Sequence, residues 1–199
     1  MLSPMSSATT LDVAITLVVG YLVGSIPVAN LVVARRARLD LRDVGDGNPG
    51  YWNAKETLGR RAATPVFLGD VAKGAIGAGV GALIAEPGVW GLAYVGAGAA
   101  MVGHSFPVFA GFRGGRSILA FAGGAAVFAP VPFVIAIGGL VVVFAVTRSF
   151  ARAAQVGFFG FPLVQIVIEG PYRTAATGVL MTFIGLRFAM AAWSSRRLH

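Results

Sequence analysis

The feature that most constrains this chain is a succession of long apolar stretches, each ended by arginines, prolines or short polar turns. A helix crossing the hydrocarbon core of a bilayer needs roughly 20 apolar residues, within a range near 17–25. Such stretches recur at about 13–34, 63–85, 89–110, 117–130, 132–147, 154–169 and 173–192. The fourth and fifth are short, and Pro130 and Pro132 would also suit a single kinked helix there. Of 199 residues, 56% are hydrophobic and 12% charged. A soluble domain averages about 25% charged and has too much exterior at this size to hide so much apolar surface. The expected fold is therefore all-α: a polytopic membrane helix bundle of about seven transmembrane helices, forming one domain over residues 1–199.

Charge orients the bundle. Arg35, Arg36, Arg38, Arg42, Lys55, Arg60 and Arg61 lie between the first two stretches. Arg113 and Arg116 follow the third, Arg148 and Arg152 the fifth, and Arg196 and Arg197 the last. These clusters hold 13 of the 16 basic residues. With seven helices and an external N-terminus, all four clusters face the cytoplasm, and the external connections hold only Arg173. Merging the fourth and fifth stretches would move Arg148 and Arg152 outside, so the bias favours seven helices, N-out and C-in. The N-terminal MLSPMSSATTLD lacks the basic region of a secretory signal, so the first stretch reads as a retained helix. The net charge of +8 is assigned to topology, anionic lipid or an anionic substrate, and not to nucleic acid. Cysteine is absent, which excludes disulfides and thiolate metal sites. His104 and His199 are too few and too distant in sequence for a histidine-rich metal site. Gly20/Gly24 and Gly77/Gly81, each four residues apart, suit close helix packing in lipid.

Four segments carry candidate chemistry. Leu39–Asn53 holds Gly45, Gly47 and Gly50 in a literal G-x-G-x-x-G, but with no strand–turn–helix context for a dinucleotide. Its glycines can turn backbone N–H groups toward an anion, with Arg42 and Asn48 adding charge and hydrogen bonds; an ordinary flexible loop is the competing reading. Gly103–Ser117 places Arg113 and Arg116 around Gly114 and Gly115, just before an expected helix start. Arginine forks and a helix N-terminus both suit phosphate, while a positive-inside turn would also explain the two arginines. In the same segment His104 is a candidate general base or an interhelical hydrogen-bond donor. Asp70 and Lys73 sit inside an apolar run at i, i+3, where they pair structurally or serve function. Gly24-Ser25-Ile26-Pro27 interrupts the first helix, and Ser25 can satisfy a freed carbonyl or face a cavity.

The ordered series GYLVGSIP, LRDVGDGN, LGDVAKG, GHSFPVF and FRGGRS resembles the acylphosphate-dependent glycerol-3-phosphate acyltransferases of bacteria, the PlsY type. The likeness covers roughly residues 20–125, and the order of five motifs makes it specific. It implies a multi-pass enzyme of the bacterial cytoplasmic (inner) membrane with a cytoplasmic active site, acting in phospholipid synthesis. An acyl group would pass from acyl phosphate to the 1-hydroxyl of glycerol 3-phosphate, releasing lysophosphatidic acid and phosphate. Both substrates carry phosphate, so cations and anion-binding loops would do the work, with no metal and no cofactor. By position, the likeness assigns catalysis to Ser25, Arg42, His104 and Arg116. It assigns substrate and phosphate binding to Gly45, Gly47, Asn48, Gly50, Asn53, Asp70, Lys73, Arg113, Gly114 and Gly115.

The chain departs from the family pattern at several points. Arg113 and Arg116 replace lysines, and a planar fork is not a compact ammonium. Gly50-Tyr51-Trp52-Asn53 stands where the family has Gly-Ala-Thr-Asn, and Ser117 replaces a glycine. A serine-rich segment reads Ala151-Arg152-Ala153-Ala154, and the C-terminal His-Arg-x-Asn-Ile reads Leu186-Arg187-Phe188-Ala189-Met190. Three functions stay open at this stage: the acyltransferase, a catalytically degenerate paralogue that binds phosphate-bearing lipid precursors, and a small anion transporter. No inverted repeat supports the transporter.

Overall fold

The computed structural model describes residues 8–196; Met1–Ser7 of the N-terminal segment and Arg197 and His199 of the tail lie outside the described residues. Nine α-helices are present among the described residues: α1 Thr10–Gly24, α2 Val28–Ala37, α3 Tyr51–Leu58, α4 Arg60–Ile84, α5 Gly91–Ser105, α6 Ile118–Phe128, α7 Pro130–Thr147, α8 Phe150–Glu169 and α9 Pro171–Arg196. Helices dominate for a physical reason: in lipid each backbone N–H and C=O must be satisfied within its own segment. Six helices are long and apolar enough to cross a membrane, taking α1 and α2 together as Thr10–Ala37.

The seventh apolar helix, α6, has 11 residues and so rises only about 16 Å, short of a hydrocarbon core of about 30 Å. It is enclosed rather than lipid-facing, with Ala120, Phe121, Gly123, Gly124, Ala125 and Phe128 buried. The alternative of one kinked helix through Pro130 and Pro132 does not occur. Ala129 leaves helical geometry at φ −145° and ψ 63°, and Pro130 opens α7, where its missing N–H costs nothing.

Two further expectations change. The first stretch is not one interrupted helix: Ser25–Pro27 separates α1 from α2 completely. The large basic loop is not merely a loop. It contains α3, folded over a small core of Val33, Leu41, Ala54, Ala63 and Val66.

Interhelical contacts define two ends of the bundle. α1 runs beside α5 in the same direction, with Thr16 and Gly20 near Gly96 and Gly24 against the backbone of Ala100. α4 runs opposite to α5, with Gly77 against Gly96 and Gly81 against Leu92. The expected close packing at Gly20/Gly24 and Gly77/Gly81 is therefore present; a Cβ on Gly20 would lie 2.8 Å from the Gly96 carbonyl oxygen. α6 also opposes α5: Ser117 Oγ donates to Met101 O (2.7 Å), while Phe128 stacks on Tyr94 with ring centroids 4.1 Å apart. α8 begins where Phe150 stacks on Trp52 and reaches Tyr94 through Gln165 (2.8 Å). α9 returns from Arg173 over Trp90 to Arg187 beside Gly114 and Gly115. His104, Gly115 and α3 thus share one end, and Trp90, Glu169 and Arg173 the other.

Candidate active site

A buried charged cluster forms where the α1–α2 break meets α4 and α5. Lys73 Nζ donates to Ile26 O (2.8 Å), pairs with Asp70 Oδ1 (3.0 Å) and lies 3.4 Å from His104 Nδ1. Asp70 Oδ1 is also 3.5 Å from His104 Nδ1. Asp70 is 1% exposed, Lys73 4% and His104 8%. A charge at this depth is tolerated only when paired, and here Lys73 is ion-paired with Asp70, with the His104 imidazole beside both. The break before Pro27 supplies the Ile26 carbonyl, whose oxygen accepts from Val28 N (2.9 Å) as well as from Lys73. The interruption at Gly24–Pro27 and the intramembrane pair Asp70/Lys73 are therefore parts of one structure.

The Gly111–Ser117 turn covers this cluster. Gly114 N donates to Ser105 O (3.1 Å) and Gly115 N to His104 O (3.0 Å), so the turn is zipped onto the end of α5. Gly115 packs against the imidazole: a Cβ there would lie 3.2 Å from His104 Cδ2, 3.3 Å from Cε1, and closer still to Nε2. Gly114 packs against the His104 carbonyl in the same way. Ser105 Oγ donates to Gly115 O (3.0 Å) and contacts Ser117 Oγ (2.8 Å). From α9, the Arg187 guanidinium donates to the carbonyls of Gly114 (3.3 Å), Gly115 (3.3 Å) and Ser105 (3.5 Å), and stacks over Phe106.

A narrow cleft opens beside the cluster. Asp70, Lys73, His104, Arg113, Gly114 and Gly115 line it, with Gly24, Ile26, Pro27, Asn30, Pro49 and Pro107. Three of the four sequence segments thus meet around one space, and the fourth reaches it through Pro49. Ser25 is fully buried and its Oγ has no partner. Arg113 is exposed at the cleft rim. Arg116 pairs with Asp46 (2.9 Å) and lies over the Phe188 ring, which ties the turn to the Leu39–Asn53 loop.

That loop is built around Asn53. Its Nδ2 donates to the carbonyls of Leu41 (3.0 Å), Val44 (2.8 Å) and Asn48 (3.2 Å). Gly45 sits against the Asn53 side chain in left-handed conformation (φ +60°), where any Cβ would collide with the amide. Gly47 is also left-handed (φ +65°). Asn48 N donates to Asp46 Oδ1 (3.2 Å), and Gly50 is the N-cap of α3. Arg42 is held in a fork by Asp40 and donates to Ala110 O (3.1 Å). The Arg42 hydrogen bond holds the Asp40 carboxyl below the usual carboxylate range, and Asp40 in turn raises the Arg42 guanidinium above its ordinary value.

Asn30, Ser105 and Arg187 complete this end of the molecule without standing out as chemistry in the sequence. Asn30 lines the cleft and its Oδ1 is buried with no partner. The only sequence signal for Arg187 is that it survives within a segment whose other polar residues are lost. The departing segments lie at the edges: Ala151–Ala154 falls in the first turns of α8, and Leu186 and Ala189 are exposed on α9.

Comparison with known proteins adds an independent line. The family model for glycerol-3-phosphate acyltransferase matches residues 14–196. The chain is 36% identical over 177 residues to "Glycerol-3-phosphate acyltransferase 5" of Dehalococcoides mccartyi, covering 84% of this chain and 72% of that one. It is 31% identical to the glycerol-3-phosphate acyltransferase of Bacillus velezensis, covering 86% and 88%. The fold is similar to the crystal structure of PlsY (YgiH), an integral membrane glycerol 3-phosphate acyltransferase in its glycerol 3-phosphate form. The TM-score is 0.78 at 25% identity, over 94% of this chain and 91% of that one.

Proposed function

The chain belongs to the glycerol-3-phosphate acyltransferase family, and from that premise we propose that it moves a fatty acyl group from acyl phosphate to the 1-hydroxyl of glycerol 3-phosphate in the cleft beside His104. The observation that carries this reading is the meeting of Arg113, Gly114, Gly115 and His104 from one segment with Lys73 and Asp70 from another, around one space. In the reaction the hydroxyl oxygen attacks the acyl carbon, and the bond between that carbon and the bridging phosphate oxygen breaks. Phosphate leaves with the bonding electrons, and the hydroxyl proton goes to a base. Phosphate is already a good leaving group, so positioning and charge neutralisation supply much of the acceleration.

The residues divide the work. Arg113 supplies positive charge at the rim, where an arginine fork suits phosphate oxygens, while Arg116 and Arg42, each paired with a carboxylate outside the lining, hold the surrounding loops. His104 is the base, in the tautomer that carries its hydrogen on Nδ1 beside Asp70 Oδ1 (3.5 Å), which leaves Nε2 beside Gly115 to take the proton. Lys73 neutralises Asp70 and anchors it to Ile26 O, and in this role it positions His104 rather than binding phosphate. Ser25 is buried between Gly24 and Ile26, which line the cleft, and does not itself line it. Asn53, Gly45, Gly47, Asn48 and Gly50 shape the loop that presents Arg42. The transporter reading finds no support here, because Asp70 and Lys73 are locked to each other and not spread along a path.

We place the active face toward the cytoplasm of a bacterial inner membrane, N-out and C-in, with the six long helices and the short, enclosed α6 counted as seven passages. Support comes from Arg35, Arg36, Arg38, Arg60 and Arg61, all exposed and all close in sequence to the α3 end. The directions of the helices support it as well: α1, α5 and α9 run toward the His104 end, and α4, α6 and α8 run away from it.

The test is phosphate release from palmitoyl phosphate by the purified protein in detergent or liposomes. Release is expected only when glycerol 3-phosphate is present. A preparation that binds glycerol 3-phosphate without turnover would show the degenerate paralogue, and one that neither binds nor turns over would refute the substrate assignment.

A further inference from the structure

The cleft contains one polar side chain that the proposed chemistry leaves unused. Asn30 stands in the first turn of α2, just beyond the Ser25–Pro27 break, and lines the cleft with Lys73, His104, Arg113 and Gly115. Its Oδ1 is buried and has no hydrogen-bond partner. A buried amide oxygen without a partner is costly, and each such group in a native structure calls for an explanation. The nearby donor Lys73 is already engaged with Ile26 O and Asp70. A ligand hydroxyl can donate to the amide oxygen and accept from the amide nitrogen.

We propose that Asn30 is a specificity-determining residue that binds the 2-hydroxyl of the acceptor, the hydroxyl that is not acylated. This assignment rests on the reading of the cleft as the glycerol 3-phosphate site. The two hydroxyls of the acceptor have different needs. The attacked one must face the base and the acyl carbon, on the His104 and Gly115 side. The spectator hydroxyl needs only a fixed hydrogen-bonding group, and a site built to bond a hydroxyl discriminates strongly against an analogue that lacks it. Asn30 belongs to a different helix from His104 and Lys73, and so can read the spectator group without entering the proton transfer.

The experiment compares kcat/KM for glycerol 3-phosphate and for 3-hydroxypropyl phosphate, which lacks the 2-hydroxyl, with palmitoyl phosphate as donor. The wild-type protein is expected to prefer glycerol 3-phosphate by about 10- to 100-fold, the factor for leaving one buried neutral group unpaired. In Asn30→Ala the preference should collapse to about threefold or less, mainly through slower use of glycerol 3-phosphate. Asn30→Ser, which keeps a small hydrogen-bonding group, should retain an intermediate preference, and it serves as the folded comparison if the alanine variant is unstable. An unchanged preference in both variants overturns the assignment. An equal loss with both acceptors also overturns it, since that marks a residue acting on the attacked hydroxyl or on packing. Wild-type protein that uses neither acceptor overturns the assignment together with the reading it rests on.

Discussion

Gly115→Ala tests the geometry at its tightest point. The backbone of Gly115 is not left-handed, so alanine meets no conformational penalty there. The added Cβ would instead press on the imidazole, 3.2 Å from Cδ2, 3.3 Å from Cε1 and nearer to Nε2. Ordinary contact requires the ring to move by about 1 Å, and a misplacement of that size costs on the order of 100-fold in rate. The ring cannot retreat freely, because Lys73 and Asp70 hold Nδ1 from the other side at 3.4 and 3.5 Å. Turnover of palmitoyl phosphate with glycerol 3-phosphate should therefore fall about 100-fold, or about 2.7 kcal/mol in the activation barrier, with little change in thermal unfolding. A double-mutant cycle isolates the cause. If Gly115→Ala acts by displacing His104, it should have almost no further effect in a His104→Ala background. A folded Gly115→Ala protein with more than about a third of wild-type turnover, or fully additive effects in the cycle, would refute the reasoning.

Lys73→Met removes one member of a buried ion pair and strands Asp70, which should cost about 3–5 kcal/mol and lower the unfolding temperature in detergent by about 10 °C. The combined Asp70→Leu/Lys73→Met protein should recover much of that loss; no recovery would show that the pair is not the source. Arg187→Ala removes the guanidinium contacts with the Gly114, Gly115 and Ser105 carbonyls and should raise KM for glycerol 3-phosphate about tenfold. Arg187→Lys should restore only part, since one ammonium cannot copy the fork, and full restoration would exclude the carbonyl contacts as the cause. Ser117 occupies a left-handed conformation (φ +63°) and offsets the strain with bonds to Met101 O and Ser105. Ser117→Gly should accordingly be close to neutral, whereas Ser117→Ala, which keeps the strain and loses the bonds, should destabilise by about 2 kcal/mol; the reverse order in thermal unfolding would refute this.

Much of the fold was legible because lipid removes alternatives: each long apolar stretch must become a helix, and each arginine cluster must end one. The places where the reading changed are those where tertiary packing overrides length. α6 reads as 117–130 in the sequence and forms the shorter helix Ile118–Phe128, sheltered by α4 and α5. α3 is too short to show a clear period and too polar to read as a span, and it folds because Ala54 and Leu41 share a core with α2 and α4. The site was legible as a set of motifs but not as a geometry. The spacing of Asp70 and Lys73 announced a pair on one face of a helix. Nothing in the sequence announced that Ile26 O, made available by the break before Pro27, completes the shell of Lys73. Asn30 was invisible because a single asparagine in an apolar segment carries no pattern; only its unpartnered oxygen distinguishes it.

The departures from the family pattern bear on where the proton goes. Leu186 and Ala189 are exposed on α9, so that helix contributes no imidazole or amide at those positions. What α9 does contribute is Arg187, whose guanidinium is engaged with backbone carbonyls. A guanidinium cannot accept a proton at any physiological pH, so neither Arg187 nor Arg113 can serve as the base. Of the titratable residues that line the cleft, Asp70 and Lys73 are committed to each other. That leaves His104, with Nδ1 oriented by the pair and Nε2 packed against a residue that has no side chain to block it. In the proposed mechanism the glycine at 115 and the ion pair on α4 are thus two halves of one requirement: one leaves room beside Nε2, and the other fixes the ring that carries it.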